Sequence, residues 1–406
     1  MAELGSFTCV GCALLCDDVV VEAAGDAARL RPGCALGAEW FSEGMRSRDG
    51  ALATINGEAV DVESALVRAA ELLRGARRPL LHGFDTATVE DARAAVALAD
   101  RLGALVSTGP VAAAWPGAPA VPLRGASTAT LGEIRDRSRV VVIWREDPET
   151  THPRLLERLG FGDPSTRLGA ERVLAVIDDR DTATARRADV RFAWSSERDL
   201  EALMSLNLLQ RGLALYSGDL AAELSGLMER LGSVPHAAFV YGSGLTQSKG
   251  GERRALALHE LVRALCHERH VVTLGLPRAP GTRGADDVLA WQTGYGGAVD
   301  LASGHPELLT ATGPLAAEEG VDVSLRIEAV PTELPAGVTE IALGGVPAGW
   351  ARRNPEVSIR TAAAGVSSGG TAHRLDGVPL ALQAPRPDGA PTAAALLGRL
   401  LARIER

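Results

Sequence analysis

The sequence predicts an α/β protein: a small β-rich, cysteine-bearing module at the N-terminus, then two parallel-sheet α/β domains. Three observations carry this. Four of the five cysteines, Cys9, Cys12, Cys16 and Cys34, lie at the start of the chain. From Asp61 onward, helical and strand-like segments alternate. The strands are short, nearly continuous apolar runs, as expected where helices cover both faces of a sheet. A chain of 406 residues holds two or three domains, at roughly 150 residues each. The boundaries fall at 1–50 for the cysteine-rich module, 51–130 plus 330–406 for one α/β domain, and 131–329 for the other.

The elements follow from local chemistry. Asp18 to Ala23 is strand-like, Ala24-Gly25-Asp26 supplies a turn, and Ala28 to Arg31 returns. Asp61 is placed to cap an amphipathic helix running to about Arg74, with Val62, Ala65, Leu66, Ala69, Leu72 and Leu73 on one face. Arg78 to Gly83 is a short buried strand, Thr88 to Leu102 a helix, and Ala104 to Ser107 a strand entering Thr108-Gly109-Pro110. The rhythm continues with strand Arg139 to Trp144, helix Pro153 to Leu159, strand Arg172 to Ile177 and helix Arg198 to Arg211. Strand Ala237 to Tyr241, helix Arg253 to His267 and strand His270 to Leu276 repeat it. Arg278 to Asp287 and Pro385 to Pro391, rich in glycine and proline, read as loops. Ligands of such sheets bind beyond the carboxyl ends of the strands, so the residues after each strand are the candidates for chemistry.

Composition narrows the functional classes. Apolar residues make up 46% and charged residues 23%, which excludes a disordered chain. Lys and Arg total 42 against 51 Asp and Glu, a net charge of −9, so nothing favours coating nucleic acid or anionic lipid. Lys249 is the single lysine, and any Schiff-base chemistry in this chain would have to use it. The first residues carry no basic segment followed by an apolar run, and no stretch is long and apolar enough to span a bilayer. The expectation is a cytoplasmic protein, where thiols stay free.

The strongest motif is Cys9-x2-Cys12-x3-Cys16 with Cys34 following after a hairpin-sized insertion. Thiolates this close repel unless a metal neutralises them. A structural zinc usually takes two C-x2-C pairs, which this is not. Three near cysteines plus a remote fourth suit a [4Fe–4S] cluster, with one thiolate per iron. Zinc, and an unoccupied or redox-active thiol set, stay open. Cys266 reads as a core cysteine on an apolar helix. Gly242-Ser243-Gly244 follows a strand, yet Gln247 breaks the dinucleotide fingerprint and Ser248-Lys249-Gly250 breaks the P-loop pattern. Lys249 is therefore a surface charge or one beside a ligand. His152 and His373 have no further ligands nearby in sequence and read as structural.

The cysteine spacing is similar to that of molybdopterin oxidoreductases. Further segments narrow the resemblance: Cys12-Ala-Leu-Leu-Cys16-Asp17-Asp18, Cys34-Ala-Leu-Gly37-Ala-Glu-Trp40-Phe41, His152-Pro153-Arg154 and the run Asp179 to Ala185. With Gly242 to Ser248, Trp291-Gln292-Thr293-Gly294-Tyr295, Ala298-Val299-Asp300 and Gly370 to Pro379, these resemble the formylmethanofuran dehydrogenase B subunit over nearly the whole chain. The resemblance implies an iron–sulfur-type N-terminal domain and the molybdopterin-oxidoreductase fold without its C-terminal β-barrel domain. It implies a bis-pterin tungsten or molybdenum centre interconverting CO2 and formate, beside partner subunits. It implies equally the B subunit of a bacterial formyltransferase/hydrolase complex, which lacks redox catalysis. There the partners are a zinc amidohydrolase-like A subunit, a C subunit and a formyltransferase D subunit acting on tetrahydromethanopterin-linked formyl groups.

Two departures separate these. Active members hold their metal through a cysteine or selenocysteine in a Cys-His-Gly-Pro-like context, where this chain has Ser107-Thr108-Gly109-Pro110. A neutral hydroxyl is a poor donor for a soft metal. Ser107 is thus a degenerate metal-ligand position, or simply the end of a strand. After the strand ending at Trp144 the family has a Gly-Asn-Pro-type turn, whereas this chain has Arg145-Glu146-Asp147-Pro148. Two carboxylates facing a pyrophosphate would cost roughly 3 kcal/mol per pair at ~5 Å and an effective dielectric of ~20, unless the charges point to solvent. Asp179, Thr182, Gly242 and Gly244 are the candidate pterin contacts, with a helix-capping role as the alternative for Asp179 and Thr182. The expected function is a non-redox B subunit. An active tungsten or molybdenum dehydrogenase subunit and a cluster-only electron carrier are the alternatives.

Overall fold

The structure, a computed structural model, describes residues 2–24, 27–46, 50–109, 120–213, 218–246, 250–309, 320–331, 333–344 and 355–405. The chain divides into two compact units, Met1–Ala114 with Ala279–Arg406, and Trp115–Arg278. The return to the first unit comes at 279, earlier than the expected 330, because strands after 279 complete the first sheet.

The first unit opens with β1 (Ala2–Phe7), β2 (Val19–Ala24) and β3 (Ala27–Arg31), a small antiparallel sheet. Helix Ala35–Met45 and the hairpin of β4 (Ala53–Ile55) and β5 (Glu58–Val60) follow. Helix Val62–Gly75 begins where expected, since the Asp61 carboxylate accepts from Ser64 N at 2.8 Å. After β6 (Pro79–Gly83), helix Val89–Leu102 starts from a reciprocal Thr88–Asp91 capping box and leads to β7 (Leu105–Ser107).

The second unit holds β8 (Val140–Trp144), β9 (Val173–Ile177), β10 (Val190–Phe192), β11 (His236–Tyr241) and β12 (His270–Gly275) in one parallel sheet, ordered β10-β9-β8-β11-β12. Helices Asp199–Gln210 and Gly251–Leu265 bury Leu203, Leu206, Leu258 and Leu261 in its core. The expected helix Pro153 to Leu159 is one turn, Leu155–Arg158, preceded by another, Pro148–Thr151. Cys266 is not a core residue: it is exposed at the C-cap of helix Gly251–Leu265, where its Sγ donates to Val271 O at 3.1 Å.

The first unit resumes with helix Thr282–Thr293, part of which occupies the expected loop Arg278 to Asp287. Gly281 marks a close approach there, since a Cβ on it would stand 2.3 Å from Phe84 O. Then come β13 (Ala298–Asp300), β14 (Glu307–Leu308), β15 (Val323–Ile327), β16 (Thr339–Leu343), β17 (Val357–Ile359), the hairpin β18 (Gly370–His373) and β19 (Pro379–Leu382), and helix Ala393–Ile404. The main sheet runs β14-β13-β7-β6-β15-β16-β17-β4-β5. Strands β7, β6, β15, β16 and β17 are mutually parallel, flanked by antiparallel pairs, so this sheet is mixed where a parallel one was expected. Among the described residues no helix is long and apolar enough to cross a membrane.

Candidate functional site

The loop between β1 and β2 carries three cysteines. Cys9 N donates to Cys16 O at 2.9 Å and Leu15 N to Cys12 O at 3.2 Å, which coils the loop and buries Cys9, Cys12 and Cys16. Cys34 is the N-cap residue of helix Ala35–Met45 and makes no side-chain capping bond, so the first turn of that helix starts without a conventional cap. Gly37, in that turn, admits the loop: a Cβ there would stand 2.8 Å from Cys9 Sγ and 3.9 Å from Cys34 Sγ. Gly11 N donates to Cys9 Sγ at 3.4 Å. Burial pushes the Cys12 thiol well up; the Leu14 backbone opposes this, and the sulfurs of Cys16, Cys9 and Cys34 add to it. The other three sulfurs thus all lie close enough to Cys12 to act on it. Among the described residues no three His, Cys, Asp or Glu side chains are grouped to hold a single metal ion. Cys9, Cys12, Cys16 and Cys34 could instead hold a cluster whose irons each take one thiolate.

In the second unit, strand order reverses between β8 and β11, where a ligand crevice is expected. The chain fills it. Arg145 adopts φ +54, a left-handed conformation unusual for a residue with a Cβ, and is buried. Its Nε donates to Asp199 Oδ2 at 2.9 Å, Nη1 to Asp179 Oδ1 at 2.6 Å, and Nη2 to Asp199 Oδ1 at 3.1 Å and to Trp194 O. Asp199, fully buried, also accepts from Trp144 Nε1 and Trp194 Nε1. Glu146 is 3% exposed and lies against Gly242, where a Cβ would stand 1.7 Å from its Oε2. Its Oε1 accepts from Asp147 N and Thr151 Oγ1, whereas Oε2 has no hydrogen-bond partner among the described residues. A Cβ on Gly244 would stand 2.3 Å from Arg145 O. Burial works against the Asp147 carboxylate, but hydrogen bonds from Thr184 and Thr150 outweigh it and hold the group below the usual range. The three charges of this turn thus bond within the protein instead of pointing to solvent.

Asp179, Gly242 and Gly244 are therefore gathered around Arg145 and Glu146, while Thr182 Oγ1 accepts from Ala185 N and caps the following turn. Gln247, Ser248 and Lys249 lie outside the described residues.

The first unit repeats the pattern between β6 and β15. Phe84 (φ +70) and Glu328 (φ +45) are left-handed. Phe84 N donates to Ile327 O at 2.7 Å, Thr86 N to Glu328 O at 2.9 Å and Val330 N to Asp85 Oδ2 at 3.1 Å, so these loops are zipped together. Ser107, at the end of β7, is buried and its hydroxyl donates to Gly109 O within its own turn. Thr108 Oγ1 donates to Asp286 Oδ1 and lies 3.1 Å from Gly297 O, closing the turn from the other side.

No family model matches the chain. The B subunit of tungsten-containing formylmethanofuran dehydrogenase 2 of Methanocaldococcus jannaschii is 28% identical over 341 residues, covering 80% of this chain and 78% of its own. Its namesake in Methanococcus maripaludis is 25% identical over 432 residues, covering 100% and 99%. The B subunit of the formyltransferase/hydrolase complex Fhc of Methylorubrum extorquens is 30% identical over 261 residues, 63% of this chain and 67% of its own. This chain belongs to the family of formylmethanofuran dehydrogenase B subunits. A chain of the crystal structure of the M. extorquens complex (FhcABCD) with methylofuran superposes on this family member with TM-score 0.71 and 26% identity, over 87% of this chain and 98% of that one. Acetylene hydratase from Pelobacter acetylenicus shares the fold at TM-score 0.57 and 11% identity, over 99% of this chain and 70% of that one.

Within the family frame, His152 and His373 are bonded inside the protein. Fully buried His152 has Nε2 on Pro277 O at 2.9 Å, and burial takes it down to about 4. His373 Nδ1 pairs with Asp287 Oδ2 at 2.7 Å. Sequence reasoning missed Asp199, whose only signal was its place at the start of an apolar helix.

Proposed function

We propose that this family member is the B subunit of a cytoplasmic formyltransferase/hydrolase-type complex in one-carbon metabolism. In this reading it has no tungsten or molybdenum redox chemistry of its own. Its partners would be a zinc amidohydrolase-like A subunit, a C subunit and a formyltransferase D subunit. The likeness to a chain of the FhcABCD complex supports such an assembly.

The filled crevice beyond β8 and β11 carries the proposal. A pterin pyrophosphate brought there would displace the buried Glu146 carboxylate from Gly242 and meet its charge, while Arg145 is already satisfied by Asp199 and Asp179. The residues present do not fit that group. Ser107 supports the same reading, since its hydroxyl is committed to Gly109 O and offers no sulfur.

The cysteine site differs. Its sulfur donors, the Gly37 notch and the uncapped helix start fit an anionic [4Fe–4S] cluster at Cys9, Cys12, Cys16 and Cys34. Bound there, the cluster would supply a covalent staple for the N-terminal module, on the iron–sulfur-domain plan of molybdopterin oxidoreductases.

Metal analysis and formate oxidation on the complex purified from its native host test this. The expected result is zinc in the partner subunit, about four irons per copy of this chain, and neither tungsten nor molybdenum. One tungsten or molybdenum per copy, or viologen-coupled formate oxidation above background, would refute it. The second reading, an active tungsten or molybdenum subunit, draws on the full-length likeness to a tungsten-containing relative.

A further inference from the structure

The cysteine loop is clasped by a segment from much later in the chain. Thr8 Oγ1 donates to Ala381 O at 3.1 Å, Thr8 N to Gln383 Oε1 at 3.3 Å and Leu375 N to Ala13 O at 3.0 Å. Val10, Leu15, Ala364, Ala372 and Leu382 pack together beneath these bonds. A Cβ on Gly365 would stand 2.6 Å from Val10 Cγ2, so the segment cannot lie further off without opening this contact.

The clasp brings a cation, Arg374, to the end of the cysteine loop, beside Asp17. Arg374 is 9% exposed. Asp376, whose side chain is fully buried, accepts from Arg374 Nε at 2.7 Å and from Nη2 at 2.9 Å, a two-pronged grip that fixes the guanidinium plane. The remaining nitrogen, Nη1, stands 4.0 Å from Asp17 Oδ2, beside Cys16. Asp376 sets the direction in which the guanidinium faces, and leaves one edge toward the residues around Cys16.

We propose that Arg374 is a positioning residue for the cysteine-bound centre, the cation that offsets the negative charge gathered on the sulfurs and so sets the reduction potential of the cluster. This rests on the cluster reading given above. Removing a charge several ångströms away in a partly buried site changes the free energy of adding one electron by an amount that is easily measured. The full chain is reconstituted anaerobically with iron and sulfide as wild type, Arg374→Gln and Arg374→Lys. Iron is counted per chain, folding is checked by circular dichroism, and the cluster is titrated optically against redox dyes. At a fixed potential the reduced-to-oxidised ratio of Arg374→Gln is expected to fall about tenfold, about 59 mV for one electron, while Arg374→Lys stays within about twofold of wild type. An unmoved Gln variant that holds its iron overturns the inference and leaves the cluster reading standing. If the Gln variant does not fold, the Lys variant decides, because a tenfold change there with the charge retained overturns it. Wild-type chain that takes up no iron overturns the cluster reading and the inference together.

Discussion

The contact between Glu146 and Gly242 makes a sharp test of the filled crevice. In Gly242→Ala the new methyl would stand 1.7 Å from Glu146 Oε2 and 2.5 Å from its Cδ, so the buried carboxylate must leave. Gly242 is outside the left-handed region, so the backbone itself accepts alanine, which elsewhere would stabilise by about 0.5 kcal/mol. The cost is steric: overpacking of about 1–3 kcal/mol, with the Oε1 bonds to Asp147 N and Thr151 Oγ1 also at risk. At about 2 kcal/mol, thermal unfolding of this unit should drop by about 4–8 °C. In a Glu146→Ala background the obstruction is gone, and the same substitution should be neutral or slightly stabilising. The double-mutant cycle then gives a coupling of about 2 kcal/mol, read from circular-dichroism melts of the four proteins. Additive effects within about 0.5 kcal/mol would mean that Glu146 does not occupy the notch.

Three further outcomes follow from the same geometry. Arg145→Ala leaves Asp199 buried without its cation and should cost about 3–5 kcal/mol in urea unfolding; a loss below about 1 kcal/mol would contradict the network. Burial takes His82 and His152 down to about 4, below the unfolded value of 6.5, so the unfolded chain binds more protons between these limits. Their stabilisation is complete above about pH 6.5 and is lost as pH falls toward 4, by up to about 3 kcal/mol each; a melting temperature unchanged from pH 7 to 4.5 would refute this. Ser107→Ala should cost about 1 kcal/mol, because it removes only the bond to Gly109 O, and should leave formyl transfer by the complex intact.

What the sequence made legible was local. Asp61 and Thr88 announce their helices because the capping chemistry lies within three residues. The spacing of Cys9, Cys12 and Cys16 is local in the same way, whereas Cys34 reaches them only through the turn of β2 and β3. Long-range pairing was not legible. No element was assigned around Arg326 and Glu340, whose charges interrupt the apolar runs of β15 and β16. In the fold these side chains neutralise each other at 2.7 Å on adjacent strands, both buried. Arg145 is the functional counterpart. Its sequence neighbours Glu146 and Asp147 suggested a solvated turn or one that repels a pyrophosphate, and only the fold brings Asp199 to it. The loop expected from Arg278 to Asp287 holds only as far as Gly281, which caps the helix beginning at Thr282 and allows a close approach to Phe84.

The interrupted layout of the first unit bears on how the chain is made. Helices Val62–Gly75 and Val89–Leu102 leave the ribosome long before β15, β16 and helix Ala393–Ile404, which complete their core. Ala394 N even supplies a 2.6 Å bond to Asp91, within the capping box of the earlier helix. Throughout synthesis of Trp115–Arg278 those early helices must therefore wait with part of their oily faces uncovered, while the inserted unit can already close on its own sheet. Nascent chains of this protein should thus lean on chaperones until the last turn of helix has been translated.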